Sequence, residues 1–387
     1  MAAPIVVIGS GMAGYFFARE FRALNKDRPL KMITMTDGRF YSKPLLSTAL
    51  THQKTIEALA LSAADAMSEK LAMEVVTEAT VTAIDVSKKM ITYQTQQGEQ
   101  QQAYSDLVLA CGAEKIMPSL QGDAVADLHS VNNIEDYAAF RDWICNKKHI
   151  AILGAGLVGC EFANDLVNAD YEVTVIAQES YPLARFVPEK IGLAVQQALA
   201  ERGVQWRMQA LAKCFDHDSA GYRLTLDSGE TILSDGVMSA VGLRPHLSLA
   251  KSAGLDVNQG VIVDAQLRTS DSAVYALGDC AEVMGECRQY VASLLQCARA
   301  LAKVLSGLDF SLQYPIMPIV IKTPACPVVL VPPNGDAPGE WVYEGDGCHL
   351  MALYKDGNDQ LHGFALTGDK VREKVGLVKQ LERGFYA

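Results

Sequence analysis

The sequence predicts an α/β protein with two Rossmann-like βαβ dinucleotide-binding domains and a small C-terminal α+β domain. Glycines at the spacing G-x-G-x-x-G occur twice, at residues 9–14 (GSGMAG) and 154–159 (GAGLVG). Each set follows a short apolar run and precedes apolar residues at helical spacing, which is the context of a dinucleotide-binding turn. From about residue 316 the chain is instead rich in proline and β-branched residues (MPIVIKTPACPVVLVPP).

Composition and charge narrow the class of protein. The 387 residues are 49% hydrophobic and 20% charged, as in globular proteins, and this length suggests roughly two to three domains. The net charge of −11 argues against a nucleic-acid partner. No apolar run reaches the roughly 18 residues of a membrane helix. The first residues lead directly into the first glycine turn without the pattern of a secretory signal. We therefore expect a cytoplasmic protein with no stable membrane insertion.

Each predicted element follows from hydrophobic periodicity. The first βαβ unit comprises a strand at 5–8, a helix at 12–24 and a strand at 30–36, and the second comprises 149–153, 157–168 and 171–176. Alternating residues predict antiparallel meanders at 75–109 and 222–242. Two further helices are predicted, at 290–305 and 369–383.

The nine cysteines, the first of which is Cys111, form no C-x-x-C pair. Such a scatter indicates reduced, separately packed thiols. The spacing of Cys280 and Cys287 matches no zinc or thioredoxin-like motif, so separate thiols are favoured over a redox pair, and no metal site is predicted.

The two glycine turns predict pyrophosphate sites, because a side chain at Gly11 or Gly156 would block the approach of phosphate to backbone N–H groups at a helix N-terminus. Gly14 and Gly159 allow the helix to pack on the strand. The predicted cofactor contacts of the turns are Gly9, Ser10, Gly11, Met12, Ala13, Gly14, Gly154, Gly156 and Gly159.

An acidic residue after the second strand of each unit is expected to bind a ribose hydroxyl. Asp37 is the candidate in the first unit and Glu179 in the second. No arginine follows Glu179 directly, and Arg185 is the nearest. A 2′-phosphate would favour an arginine there, so NADH is preferred over NADPH.

A third motif distinguishes the two turns. Residues 269–282 read TSDSAVYALGDCAE, and the segments LVLACGA (107–113) and VMSAVGLRP (237–245) lie before and after the second βαβ unit. Together these resemble the glutathione-reductase-like flavoproteins, with Cys111 where threonine is usual. The resemblance implies that Gly278-Asp279 binds the ribityl chain of FAD and that the helix beginning near Val291 points its N-terminus at the flavin. It also implies an FAD domain split into 1–110 and 244–315, an inserted NAD(H) domain at 111–243 and a C-terminal domain at 316–387.

The same resemblance implies roles for residues in three other segments. In FYSKPLLST (40–48), Lys43 would lie by flavin N5 and Pro44 against the ring; Glu161 would pair with Lys43 at the nicotinamide side. Lys322 would lie near the flavin, and Val81 would offer backbone contacts to the adenine. Without the family match, a surface lysine and a helix-terminal glutamate would be the simpler interpretations of Lys43 and Glu161.

Essentially the whole chain, from the first glycine turn to the C-terminal helix, is similar to the bacterial rubredoxin–NAD reductases, in segments that include YSKPLLST, LGAGLVGCEFANDL, YALGDCAEV and IKTPACPVV. That similarity implies one FAD per chain, NADH as donor and rubredoxin as a transient acceptor, in many such bacteria feeding alkane hydroxylation. Segment 40–48 has no cysteine, unlike the disulfide reductases and the peroxidase-type relatives. Electrons are therefore expected to leave the flavin singly.

Several alternatives stay open. The acceptor could be a ferredoxin or flavorubredoxin, or the chain could be an NADH-sensing flavin-binding protein or an oxidase, as monomer or dimer. The predicted helix 369–383 carries five basic residues, Lys370, Arg372, Lys374, Lys379 and Arg383, against three acidic ones. It could dock an acidic acceptor, although a solvated helix face is the more ordinary interpretation.

Overall fold

A computed structural model describes residues 3–219, 221–333 and 338–385. The chain divides into two compact units. Unit 1 comprises Met1–Lys43, Ile56–Glu114 and Leu243–Pro315, and unit 2 comprises Pro44–Thr55, Lys115–Gly242 and Ile316–Ala387.

The described residues form the following strands: β1 Ile5–Ile8, β2 Leu30–Ile33, β3 Phe40–Tyr41, β4 Ala60–Ser62, β5 Glu74–Val76, β6 Thr80–Asp85, β7 Met90–Thr95, β8 Gly98–Ala103, β9 Asp106–Leu109, β10 Ala113–Lys115, β11 His149–Leu153, β12 Glu172–Ala177, β13 Val204–Met208, β14 Ala212–Asp218, β15 Gly221–Leu226, β16 Thr231–Ser234, β17 Gly236–Ser239, β18 Leu243–Pro245, β19 Val261–Val263, β20 Val274–Ala276, β21 Ala281–Val283, β22 Ile319–Ile321, β23 Val328–Val331, β24 Glu340–Asp346, β25 His349–Lys355 and β26 Leu361–Thr367. The α-helices are α1 Met12–Leu24, α2 Ile56–Leu59, α3 Ala64–Leu71, α4 Ile134–Ile144, α5 Leu157–Val167, α6 Glu189–Glu201, α7 Ser248–Ser252, α8 Val291–Leu305 and α9 Lys374–Phe385. Short 3-10 helices span Lys43–Thr48, Val125–Asp127, Gly278–Cys280 and Gly368–Glu373.

Unit 1 is built around a five-stranded parallel sheet in the order β20-β9-β1-β2-β5. All four residues of β1 are buried, as expected of a central parallel strand covered on both faces. Helices α1 and α8 pack against each other, and both contribute to the core of this unit. The antiparallel sheet β6-β7-β8 carries Val81, which is half-buried against the same core.

Unit 2 contains a four-stranded parallel sheet, β13-β12-β11-β17, and a three-stranded antiparallel sheet, β14-β15-β16. Its C-terminal part is the five-stranded antiparallel sheet β22-β23-β26-β25-β24. Leu377 and Leu381 of α9 join the apolar cluster of that sheet.

Several predicted boundaries differ from the structure. The strand predicted at 30–36 ends at Ile33, and beyond it the Thr34 and Thr36 hydroxyls lie 3.2 Å apart. Only β6, β7 and β8 of the predicted first meander are antiparallel, since the largely buried β9 joins the parallel sheet beside β1. The fully buried β17 likewise leaves the second predicted meander and pairs in parallel with β11.

The helix predicted at 369–383 begins as a 3-10 helix, and the α-helix starts only at Lys374. Arg372 within the 3-10 helix lies 3.7 Å from Asp369, which offsets part of its charge. The side chain of Arg383 lies outside the described residues.

Candidate cofactor site

The first glycine turn joins β1 to α1 in unit 1. A Cβ added to Gly14 would lie 2.1 Å from the Gly9 carbonyl oxygen, so packing of helix on strand requires glycine there. A Cβ added to Gly11 would meet no heavy atom within 4 Å. The protein itself therefore does not require a glycine at the N-cap of α1, whereas a ligand phosphate approaching the free N–H groups of that helix would.

Hydroxyl groups connect this turn to the end of β2. The buried Ser10 hydroxyl lies 2.8 Å from the Thr34 hydroxyl. Beyond them, the carboxylate of Asp37 accepts hydrogen bonds from the Arg39 backbone N–H (3.0 Å) and from its guanidinium Nε (2.5 Å). The bond from the Arg39 side chain is the main cause that lowers the pKa of Asp37. Asp37 is thus a charged acceptor at the carboxyl end of β2, where a ribose hydroxyl is bound in Rossmann folds.

The Gly278-Asp279 motif lies next to the first glycine turn. A Cβ added to Gly278 would come within 2.8 Å of the Cβ of Ala13 in the first turn of α1. Asp279, whose side chain is 20% exposed, places one carboxylate oxygen 3.5 Å from Nζ of Lys43. Helix α8 begins at Val291, and the added Cβ on Gly278 would lie 3.7 Å from Leu294 in its first turn. Unit 1 therefore brings four predicted elements together: the glycine turn, Asp279, Lys43 and the start of α8.

The second glycine turn, in unit 2, repeats the first. A Cβ on Gly159 would lie 2.0 Å from the Gly154 carbonyl oxygen, whereas one on Gly156 would meet nothing within 4 Å. Glu179 follows β12, with a carboxylate oxygen 3.7 Å from Nε of the exposed Arg185. The residues present in both turns fit the diphosphate of a dinucleotide, because each turn leaves space at the one glycine that the fold does not need.

Helix α5 carries a buried polar network in unit 2. Glu161 is buried, with its side chain 9% exposed. Its carboxylate forms an ion pair with Nζ of Lys322 and accepts a hydrogen bond from the Lys322 backbone N–H (2.8 Å). The Ser47 hydroxyl donates to the same carboxylate at 2.6 Å. One turn further along α5, Asp165 accepts hydrogen bonds from the backbone N–H groups of Leu50 and Thr51.

The sequence predicted Glu161 and Lys322 but not their contact with each other, nor the part played by Ser47 and Asp165. Ser47 lies within the segment FYSKPLLST, and Asp165 lies four residues after Glu161, a spacing that places two residues on the same face of a helix. These two signals could have identified both residues. The predicted pairing of Lys43 with Glu161 joins residues of the two units and stays a prediction, as do the roles of Pro44 and Val81.

The nine cysteines are free thiols. Burial raises the pKa of Cys280 to about 11 and also raises that of Cys111, so both are protonated near neutral pH. Among the described residues, no three histidine, cysteine, aspartate or glutamate side chains are placed to hold a metal ion, and no helix is long and apolar enough to cross a membrane.

Two family models match the chain. The model described as pyridine nucleotide-disulphide oxidoreductase matches residues 3–300. A second model, described as rubredoxin binding C-terminal domain, matches residues 311–381.

Relatives of known activity match the chain over nearly its whole length. Rubredoxin-NAD(+) reductase of Alcanivorax borkumensis is 44% identical, over 98% of this chain and 98% of the relative. Nitric oxide reductase FlRd-NAD(+) reductase of Aliivibrio fischeri is 34% identical, over 98% of this chain and 99% of the relative. The crystal structure of the covalent putidaredoxin reductase–putidaredoxin complex contains a chain with a TM-score of 0.87 at 22% identity, covering 99% of this chain and 94% of that chain. This last likeness confirms the predicted fold class.

Proposed function

Because the chain belongs to the pyridine nucleotide-disulphide oxidoreductase family, and within it to the rubredoxin–NAD(+) reductases, we propose that it transfers electrons from NADH through FAD to rubredoxin. The near-complete coverage by relatives that carry this activity, together with the matched rubredoxin-binding region, supports the proposal. The chain is thus an oxidoreductase whose partner is a small iron protein.

We propose that unit 1 holds FAD. The turn from Gly9 to Gly14 binds the diphosphate through the N-terminus of α1, Asp37 binds the adenosine ribose, and Asp279 binds the ribityl chain. The N-terminus of α8 at Val291 faces the flavin ring, where a positive helix end favours the charge gained on reduction. The 3.5 Å contact between Asp279 and Lys43 supports a position for the ammonium group beside the same cofactor.

We propose that unit 2 holds NADH through Gly154, Gly156, Gly159 and Glu179. A carboxylate after the second strand favours a free ribose 2′-hydroxyl over a 2′-phosphate, which supports NADH as the donor. Glu161 and Lys322 act at the reacting end of the nucleotide. Their ion pair joins the buried Glu161 carboxylate to the half-buried Lys322 ammonium group, so that the two charges are fixed before the donor binds.

When bound, FAD supplies a group that accepts two electrons as hydride and releases them one at a time. The residues of this chain supply no thiol relay, since segment 40–48 contains no cysteine and Cys111 and Cys280 have raised pKa values. A one-electron acceptor such as the rubredoxin iron therefore suits this protein better than a disulfide. The use of those electrons for alkane hydroxylation stays a prediction.

A second acceptor, flavorubredoxin, is favoured by one observation. Relatives that reduce it, named nitric oxide reductase FlRd-NAD(+) reductases, share the full length of this chain. Because these relatives are less identical to this chain (34%) than the rubredoxin-NAD(+) reductase of Alcanivorax borkumensis is (44%), rubredoxin is the first candidate acceptor.

We also propose that the protein works in the cytoplasm, which the nine free thiols support. We propose that residues 1–110 and 244–315 form the FAD domain, residues 111–243 form the NAD(H) domain and residues 316–387 form the C-terminal domain. The basic residues from Lys370 to Lys379 are proposed to contact the acidic acceptor transiently.

Anaerobic visible spectroscopy of the purified holoprotein tests this function. NADH is expected to bleach the oxidised flavin absorbance near 450 nm, and oxidised rubredoxin is expected to restore it rapidly. Slow reoxidation by every acceptor, combined with a change of oligomeric state on adding NADH, would instead support an NADH-sensing flavin-binding protein.

A further inference from the structure

Ser47 lies between the two charged groups of the Glu161–Lys322 pair. Its hydroxyl donates to Oε2 of Glu161 at 2.6 Å and accepts from Nζ of Lys322 at 3.2 Å. Both hydrogen-bonding functions of the serine are therefore used by groups of opposite charge. The side chain is 7% exposed, so water has little access to replace it.

The ion pair is held from a second direction by the backbone. The Lys322 N–H donates to Oε1 of Glu161 at 2.8 Å, which leaves Oε2 for the ammonium group and for Ser47. Removing the Ser47 hydroxyl would keep the hydrogen bond from the Lys322 N–H to Glu161. Oε2 of Glu161 and Nζ of Lys322 would then no longer be held by a shared partner. The Ser47 hydroxyl thus affects the orientation of the Glu161–Lys322 ion pair more than its formation.

Segment 44–55, which carries Ser47, is fastened to α5 by Asp165. This carboxylate is 1% exposed and accepts the N–H groups of Leu50 at 3.0 Å and Thr51 at 2.8 Å. Burial raises the pKa of Asp165, as expected for a carboxyl group with little solvent. The Asn168 side chain adds a hydrogen bond to the Thr51 hydroxyl at 3.3 Å. Glu161 and Asp165 of α5, and Asn168 just after its end, are therefore all hydrogen-bonded to the same segment.

We propose that Ser47 is a positioning residue for hydride transfer from NADH, and that Asp165 anchors the segment that presents it. Ser47 acts through Glu161 and Lys322, and this role rests on the proposed function, in which that pair works at the reacting end of the nucleotide. Because α5 begins at the second glycine turn, the helix proposed to receive the diphosphate also carries Glu161 of the pair and Asp165.

Stopped-flow reduction of the FAD-loaded protein by NADH tests the role of Ser47. Ser47→Ala is expected to lower the limiting rate of flavin reduction about tenfold, the loss typical of one hydrogen bond to a charged group. The NADH concentration at half-saturation, the flavin content and Tm should stay near those of the wild type. Ser47→Thr, which keeps the hydroxyl, should restore most of the rate.

Thr48→Val is the matched control, since the buried Thr48 hydroxyl on the same segment donates to the nearby Leu45 carbonyl (3.2 Å) and not to the ion pair. A wild-type rate in Ser47→Ala, or an equal loss in Thr48→Val, would overturn the positioning role. Asp165→Asn is expected to slow reduction as well, and the double variant Ser47→Ala, Asp165→Asn should lose less than the product of the two single effects. If the loss of rate in the double variant equals the product of the two single losses, the proposed link between Ser47 and Asp165 is overturned.

These outcomes are separate from a failure of the proposed function. A wild-type flavin that NADH reduces but rubredoxin does not reoxidise contradicts the acceptor alone and leaves the Ser47 comparison intact. A wild-type flavin that NADH does not reduce contradicts both.

Discussion

Two carboxylates of unit 1, those of Asp37 and Asp279, have partners of different kinds. Asp37 is bound to Arg39, two residues away, in a local arrangement that its own turn provides. Asp279 instead approaches Lys43 from a distant part of the chain. A local pair fixes a side chain whether or not a ligand is present, whereas the Asp279–Lys43 contact depends on how the segments fold around the cofactor site.

Asp279→Ala should yield protein poor in FAD. The substitution removes a carboxylate acceptor for the ribityl chain, and a hydrogen bond to a charged group typically contributes about tenfold or more in affinity. The ratio of absorbance at 450 nm to that at 280 nm, measured after purification and after titration with FAD, checks this. Asp309→Ala, at an exposed position of the same unit, serves as the control. Full flavin occupancy in Asp279→Ala would show that the Gly-Asp motif does not bind FAD here.

Lys43→Met should slow flavin reduction by NADH by about one to two orders of magnitude while FAD stays bound, because a fixed ammonium group stabilises charge that develops in the transition state. Rapid-mixing absorbance at 450 nm, with flavin content as the internal control, measures the effect. Unchanged reduction kinetics would remove Lys43 from the reaction.

At the residue scale, the sequence predicted those residues that belong to local motifs. Asp279 follows a strand in a recognisable motif, and Glu161 follows a glycine turn. The contacts of Ser47 could not be predicted, because they join three segments that are far apart in the chain. Only the folded structure shows which lysine faces which carboxylate within each unit.

At the element scale, the two glycine turns separate packing from ligand binding. Gly159→Ala should lower Tm, since its Cβ would lie 2.0 Å from the Gly154 carbonyl oxygen and overpacking typically costs about 1–3 kcal/mol. Gly156→Ala should leave Tm unchanged but raise the KM for NADH, because its Cβ enters space that contains no protein atom within 4 Å. Thermal unfolding and steady-state kinetics on the two variants measure both effects. A large loss of Tm in Gly156→Ala would contradict a ligand-binding role for that space.

A histidine connects β14 to residues 123–127 in unit 2. Its ring lies 2.9 Å from Asp127 and 3.1 Å from Asp123, and these hydrogen bonds, the one to Asp127 contributing most, raise the pKa of His217 above 6.5. The stabilisation from charged His217 is complete below pH 6.5 and is lost as the pH rises through the raised pKa. NMR titration should show the raised pKa in the wild type and a value closer to 6.5 in Asp127→Asn. The same pKa in Asp127→Asn and the wild type would contradict the contact.

At the element scale, hydrophobic periodicity predicted the βαβ units well because each short apolar strand is followed by a glycine turn and by a helix of 13 residues (α1) or 11 residues (α5). It assigned β9 and β17 to meanders, since a short apolar strand has the same local pattern in either kind of sheet. Which sheet a strand joins depends on burial by neighbours that are distant in sequence.

At the scale of the whole molecule, the sequence predicted the order of the cofactor motifs along the chain, and relatives of full length confirm the fold class and the activity that this order implied. Composition and periodicity identify the C-terminal region only as a small α+β part, because the surface that receives a protein partner has no short motif. The resemblance carried by segments such as IKTPACPVV implied rubredoxin as the acceptor, and the match of residues 311–381 to the rubredoxin binding C-terminal domain supports it.

Electrons from NADH leave this protein to rubredoxin. The most direct test compares NADH-dependent turnover of the FAD-loaded enzyme with purified rubredoxin and with a ferredoxin, as kcat/KM at low and at raised ionic strength. We expect faster turnover with rubredoxin at low ionic strength, weakened by added salt because the proposed contact of Lys370 to Lys379 with an acidic acceptor is electrostatic. Equal or faster turnover with the ferredoxin would contradict it.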